Sequence, residues 1–125
     1  FIPLWDMEST RQKKIAGVLQ RDLGEIIDGV VREHLRGALI SVSEVRVTPD
    51  LANAKVFVSV FPVAAKSDAM KLLSHQSATI RHSLGTRIRH QMRIVPELLF
   101  RLDETLENSE KLNRLLDEKG ELPEL

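Results

Sequence analysis

The sequence predicts an α+β domain, helices packed against a small sheet, in the order helix–strand–strand–helix–helix–strand with a short C-terminal helix. Three observations predict it. Apolar positions switch repeatedly between a period near 3.6 and a period of two. Turn chemistry falls at the switches, at Gly37, Thr48-Pro49-Asp50, Pro62 and Pro96. The length, 125 residues of which 42% are apolar, suits one domain, and there is no internal repeat or linker.

The first helix opens at Ser9-Thr10-Arg11-Gln12, a capping box in which the Ser9 hydroxyl and the Gln12 side chain each satisfy an orphan amide. Ile15, Val18, Leu19, Ile26, Ile27, Val30 and Val31 form its apolar stripe, and Gly37 stops it. Leu39 to Val47 reads as a strand whose alternation slips near Ser43-Glu44, the mark of a bulge. After the turn, Asn53 to Phe61 alternates cleanly, with Ala54, Val56, Val58 and Val60 on one face, so the pair predicts a hairpin. Ser67 is placed to cap a second helical segment that weakens around Gln76-Ser77-Ala78-Thr79 and resumes through Ile80, Leu84 and Ile88. Leu98, Phe100 and Leu102 share one face of a strand from Glu97 to Leu102. A last helix is expected over 107–119, burying Leu112, Leu115 and Leu116.

Several function classes are weakened at once. Without cysteine there is no thiol nucleophile, disulfide or cysteine-rich zinc site, and a reducing interior is the natural home. No apolar run approaches the ~18–20 residues of a membrane span. Gly24 to Gly29 has the glycine spacing of a phosphate loop, but Val30 and Val31 stand where Lys and Ser/Thr would hold phosphate and magnesium. His75, His82 and His90 are seven and eight apart, whereas helical zinc ligands usually sit one turn apart. No catalytic cluster, metal site or cofactor is expected.

The net charge is zero, yet its distribution is uneven. Residues 1–68 carry nine basic and nine acidic side chains, and residues 97–125 carry four and nine. Between them, from Ala69 to Pro96, stand Lys71, Arg81, Arg87, Arg89 and Arg93 with three histidines and no carboxylate. Such a stretch makes a local positive field. On a helix running from Ile80 through Arg93, Ile80, Leu84 and Ile88 face a core. His82, Thr86, Arg89 and Arg93 lie opposite, with Arg81 and His90 towards the edges and Arg87 nearer the core. The pattern points to a polyanion read through shape and phosphate. Arg11, Lys13 and Lys14 add a weaker cluster. Tyrosine is absent and aromatic residues are few, so an aromatic stacking platform is not expected, and Phe57 and Phe100 are read as core.

Several segments together resemble the ribosome-binding factor A family, from about Arg11 to Leu116. They are Arg11…Ile15-Ala16…Leu19-Gln20-Arg21-Asp22-Leu23, the run from Glu44 to Ser59, Ile80-Arg81…Leu84-Gly85, and Arg93-Ile94-Val95-Pro96-Glu97-Leu98-Leu99-Phe100…Asp103. The resemblance implies a type II KH-like domain, placed at 7–116. Residues 1–6 are then an N-terminal extension, with Met7 a natural start, and 117–125 an acidic tail. KH domains commonly clamp nucleic acid on a Gly-x-x-Gly loop. The chain has none, and where the family has an Ala-x-Gly kink it carries Gln76-Ser77-Ala78. Ala78 in place of glycine makes positive φ costly, so a kink of different geometry is expected. Leu35-Arg36-Gly37 also departs from the Asp-Pro pair of many relatives, a loop difference only.

The resemblance further implies a non-enzymatic cytoplasmic assembly factor that binds the small (30S) ribosomal subunit and its 16S rRNA. It would act in late maturation and 5′-end processing, be released with the help of an assembly GTPase, and be associated with growth in the cold. A monomer is expected, with no membrane partner. Lys71, Arg81, Arg87, Arg89 and Arg93 would engage phosphates, with His75, Ser77, His82 and His90 as polar neighbours and Arg11, Lys13 and Lys14 widening the footprint. Two alternatives stay open: a generic single-stranded RNA-binding module, and a protein-interaction module for an acidic partner.

Overall fold

The structure, a computed structural model, describes residues 9–103. Helix α1 spans Thr10–His34, strands β1 and β2 span Leu39–Val47 and Asn53–Phe61, helices α2 and α3 span Lys66–His75 and Ser77–Ile88, and β3 spans Glu97–Leu102. The sheet order is β1-β2-β3; β2 pairs antiparallel with β1 and parallel with β3. The expected helix over 107–119 lies outside the described residues.

All three helices cover the same face of the sheet. Alternation puts Ala54, Val56, Val58 and Val60 on that face, where they join Leu19, Leu23 and Ile27 of α1, Leu73 of α2, and Ile80, Leu84 and Ile88 of α3 in one core. The register sets Leu98, Phe100 and Leu102 beside Ala54, Val56 and Val58, so β3 adds its apolar side to the same layer. Burying one such aliphatic side chain is worth about 1.5–3 kcal/mol. The other face of the sheet carries no described helix. Phe57 lies there half-buried, with the Lys55 ammonium 5.9 Å from its ring, which corrects the core assignment: its parity is opposite to that of Val56 and Val58.

Helix α1 is fixed to the sheet by two glutamines. Gln12, 4% exposed, accepts from the Ser9 amide at 2.9 Å through Oε1 and donates from Nε2 to the Val47 carbonyl at 2.8 Å. The capping box is therefore also a tether to the end of β1. Register slips between Val42 and Glu44, and the Gln20 amide donates to the Val42 and Ser43 carbonyls that the bulge leaves open, at 3.3 and 3.2 Å.

Two helix boundaries differ from expectation. Ser67 does not cap α2. A 3₁₀ turn over Val63–Ala65 feeds directly into the helix, and the Ala65 amide donates to Pro62, so the first turn needs no side-chain cap. Helix α3 ends at Ile88 rather than running through Arg93. The chain must reverse there to bring Pro96 and β3 alongside β2, and the Gln91 and Met92 amides close the exit onto the Ile88 carbonyl. Between α2 and α3 a single residue, Gln76, leaves helical geometry at φ −95° and ψ 7°. That bridge conformation is open to any L residue, which is how the kink forms without glycine.

Candidate nucleic-acid interface

The acid-free stretch occupies α2, α3 and the loop to β3, and the core ridge of α3 sets which of its cations face outward. Ile80, Leu84 and Ile88 are fully buried, leaving His82, Thr86 and Arg89 on the opposite, exposed side as expected. Arg81, His82, Thr86 and Arg89, together with Gly85 and Val95, line an open concavity of about 510 Å³. Gly85 is the point of closest approach: a Cβ there would lie 2.9 Å from a Val95 methyl. The glycine lets the loop before β3 lie down on α3.

The arginines divide into two kinds. Arg87 reaches across to α1, where it is bonded to the Glu25 carboxylate and lies 3.5 Å from Asp22. That contact holds the Glu25 carboxyl below the usual carboxylate range and raises the Arg87 guanidinium further. Arg81 donates to the Val95 carbonyl at 2.7 Å and the Pro96 carbonyl at 3.1 Å, with Glu97 at 3.5 Å. Both therefore also make contacts within the molecule: Arg87 joins α3 to α1, and Arg81 fixes the loop into β3. Arg89, His90 and Arg93 are exposed, and no partner holds them among the described residues.

Arg93 and His90 sit in the loop, not on the helix face, and the loop brings Arg93 to an unexpected neighbour. A groove of about 210 Å³ runs between the start of α1, the 48–52 turn and residues 91–94, with Arg11 and Arg93 among its lining. Two clusters separated by some eighty residues of sequence thus share one surface. Sequence reasoning missed Asp50, Gln91, Met92 and Ile94 here. The available signal was Ile94, an apolar residue between Arg93 and Pro96 that belongs to no strand alternation.

The other expected residues are scattered. Ser77 lines a third hollow, about 330 Å³, with Met70 and Ser74 of α2 and Leu98, Leu99 and Phe100 of β3. Lys71 and His75 are exposed on α2, and Lys13 and Lys14 are exposed in the first turns of α1; none of the four lines these three hollows. Among the described residues no group of three or more His, Asp or Glu is placed to hold a metal ion, and no helix is long and apolar enough to cross a membrane.

A mixed three-stranded sheet covered on one face by a kinked helix pair and a long N-terminal helix defines a KH-like domain of type II, here without a Gly-x-x-Gly sequence. The family model for ribosome-binding factor A matches residues 11–116, and the chain belongs to that family. Ribosome-binding factor A of Christiangramia forsetii is 46% identical over 101 residues, covering 80% of this chain and 77% of the relative. The crystal structure of ribosome-binding factor A from Thermus thermophilus superposes with a TM-score of 0.63 at 26% identity, over 73% of this chain and 94% of that one. A homology model of the Thermus thermophilus protein, fitted into the cryo-EM map of its complex with the 30S subunit, superposes with a TM-score of 0.54 at 27% identity, over 70% and 90%.

Proposed function

We propose that the chain is a non-enzymatic assembly factor of the small ribosomal subunit, binding 16S rRNA in the cytoplasm through His82, Arg89, His90, Arg93 and Arg11. The observation that carries this reading is the set of exposed arginines with no carboxylate partner among the described residues, on a domain whose relative was fitted into a 30S complex. Lys71, His75, Lys13 and Lys14 widen the positive field without belonging to a built surface. Binding acts by selection: contacts made to one maturation conformer of the RNA raise its population, and no bond need be made or broken. Release by an assembly GTPase belongs to the same proposal, as does action as a monomer.

Sedimentation of the protein with precursor and mature small subunits at two salt concentrations tests the reading. Preferential co-migration with precursors, weakening steeply with salt, is expected. Equal binding to free RNA of the same mass would replace it with the generic RNA-binding alternative.

A further inference from the structure

The groove between α1 and the loop before β3 holds more than charge. Its lining includes the apolar side chains of Leu51, Met92 and Ile94, and Ile94 is 68% exposed and belongs to no packed layer. Arg11 and Arg93 lie at the same groove, exposed and without described partners. The remaining wall is a rigid turn. Leu51 adopts φ 61°, held by its amide on the Thr48 carbonyl at 2.9 Å. Asp50 Oδ1 accepts from the Thr48 hydroxyl at 2.6 Å and from the Ala52 amide at 3.0 Å. Both bonds use one oxygen, and Oδ2 takes part in neither of them. The Thr48 bond also keeps this carboxyl ionised to below the usual carboxylate range.

A pure phosphate ledge needs neither an apolar lining nor a carboxylate, and a carboxylate beside two arginines works against it. Cations, an apolar surface and one anionic acceptor are together the complement of a nucleotide: phosphate, ring face and exocyclic amine. The size agrees, since 210 Å³ is below the ~300–1,000 Å³ of a drug-sized cleft.

We propose that this groove seats one unstacked RNA base, its ring on Met92 and Ile94, its exocyclic amine on Asp50 Oδ2, and its flanking phosphates on Arg11 and Arg93. The inference rests on the RNA-binding reading above. It adds a preference for adenine, cytosine or guanine over uracil, the base without an exocyclic amine.

The test titrates precursor small subunits with the intact chain at several salt concentrations. Ile94→Ala removes an exposed side chain and leaves the fold intact. It is expected to weaken binding about tenfold, the equivalent of about 55 Å² of apolar surface, with the salt slope unchanged. Arg93→Ala is expected to weaken binding and lower the log–log slope by about 0.7–0.9. Asp50→Asn keeps both Oδ1 bonds and turns the Oδ2 acceptor into a donor. Removing a negative charge from an RNA-facing surface would ordinarily tighten binding; the seated base predicts weakening instead. Unchanged affinity for Ile94→Ala, tightening by Asp50→Asn, or photo-crosslinks from position 94 that land on a ribosomal protein would each overturn the proposal while the assembly-factor reading stands. Failure of the unaltered chain to prefer precursor subunits would overturn both.

Discussion

Arg81 and Arg87 lie on α3, Arg89 and Arg93 just beyond it, and the two pairs are placed in opposite ways. The first pair is committed inside the molecule, to the Val95 and Pro96 carbonyls and to the Glu25 and Asp22 carboxylates. The second pair is exposed, with no described partner. All four belong to one acid-free run, so composition treats them alike. What separates them is what lies within reach. Arg81 meets the carbonyls of the loop into β3, and Arg87 meets the carboxylates of α1. Arg89 begins the turn that leaves the helix and has no hydrogen-bond or ion-pair partner among the described residues.

The sharpest way to break the comparison is to neutralise each pair separately. Arg89→Ala with Arg93→Ala is expected to cost about a hundredfold in affinity for precursor subunits, two charge-assisted contacts at tenfold or more each, with thermal stability unchanged. Arg81→Ala is expected to do the reverse in kind. It should cost about 1 kcal/mol of stability in urea unfolding, since water replaces part of what a half-exposed guanidinium supplies to two carbonyls. It should also speed amide exchange over residues 89–95, loosening the loop that carries Arg93. Equal effects of the two changes on stability would abolish the distinction.

The strands were fully legible in the sequence. β1, β2 and β3 fall at Leu39–Val47, Asn53–Phe61 and Glu97–Leu102, as alternation and turn residues predict, and the bulge sits where the alternation slips. These are local signals. The end of α3 was not legible, because Ile80, Leu84, Ile88 and Met92 continue one ridge at a spacing of four, and nothing in that series says that the chain must turn to meet β2. The capping box at Ser9 was legible, but not the bond from Gln12 to Val47, thirty-five residues away. The site fared likewise. A cationic stretch could be read directly, whereas the partners of Arg87, sixty-two residues earlier at Glu25, and the meeting of Arg11 with Arg93 depend on tertiary contact.

The smallest expected effect concerns the committed pair and pH. The Arg87 guanidinium, through its bond and its charge, depresses the Glu25 carboxyl in the folded protein. A depressed carboxyl contributes stability that is present above its unfolded value and is lost as pH falls through the folded one. Arg87 stays charged throughout, so Glu25 is the titrating partner. Comparing the melting temperature of the unaltered chain with that of Glu25→Gln should therefore show a small advantage for the former at neutral pH. The gap should close as pH falls below the ordinary carboxylate range, and shrink with added salt, because both groups are exposed. Arg89→Ala, having no such partner, should leave the pH profile unmoved. A pH-independent gap for Glu25→Gln would mean that Arg87 and Glu25 act through packing rather than charge, and the division of the basic run into committed and available cations would then rest on Arg81 alone.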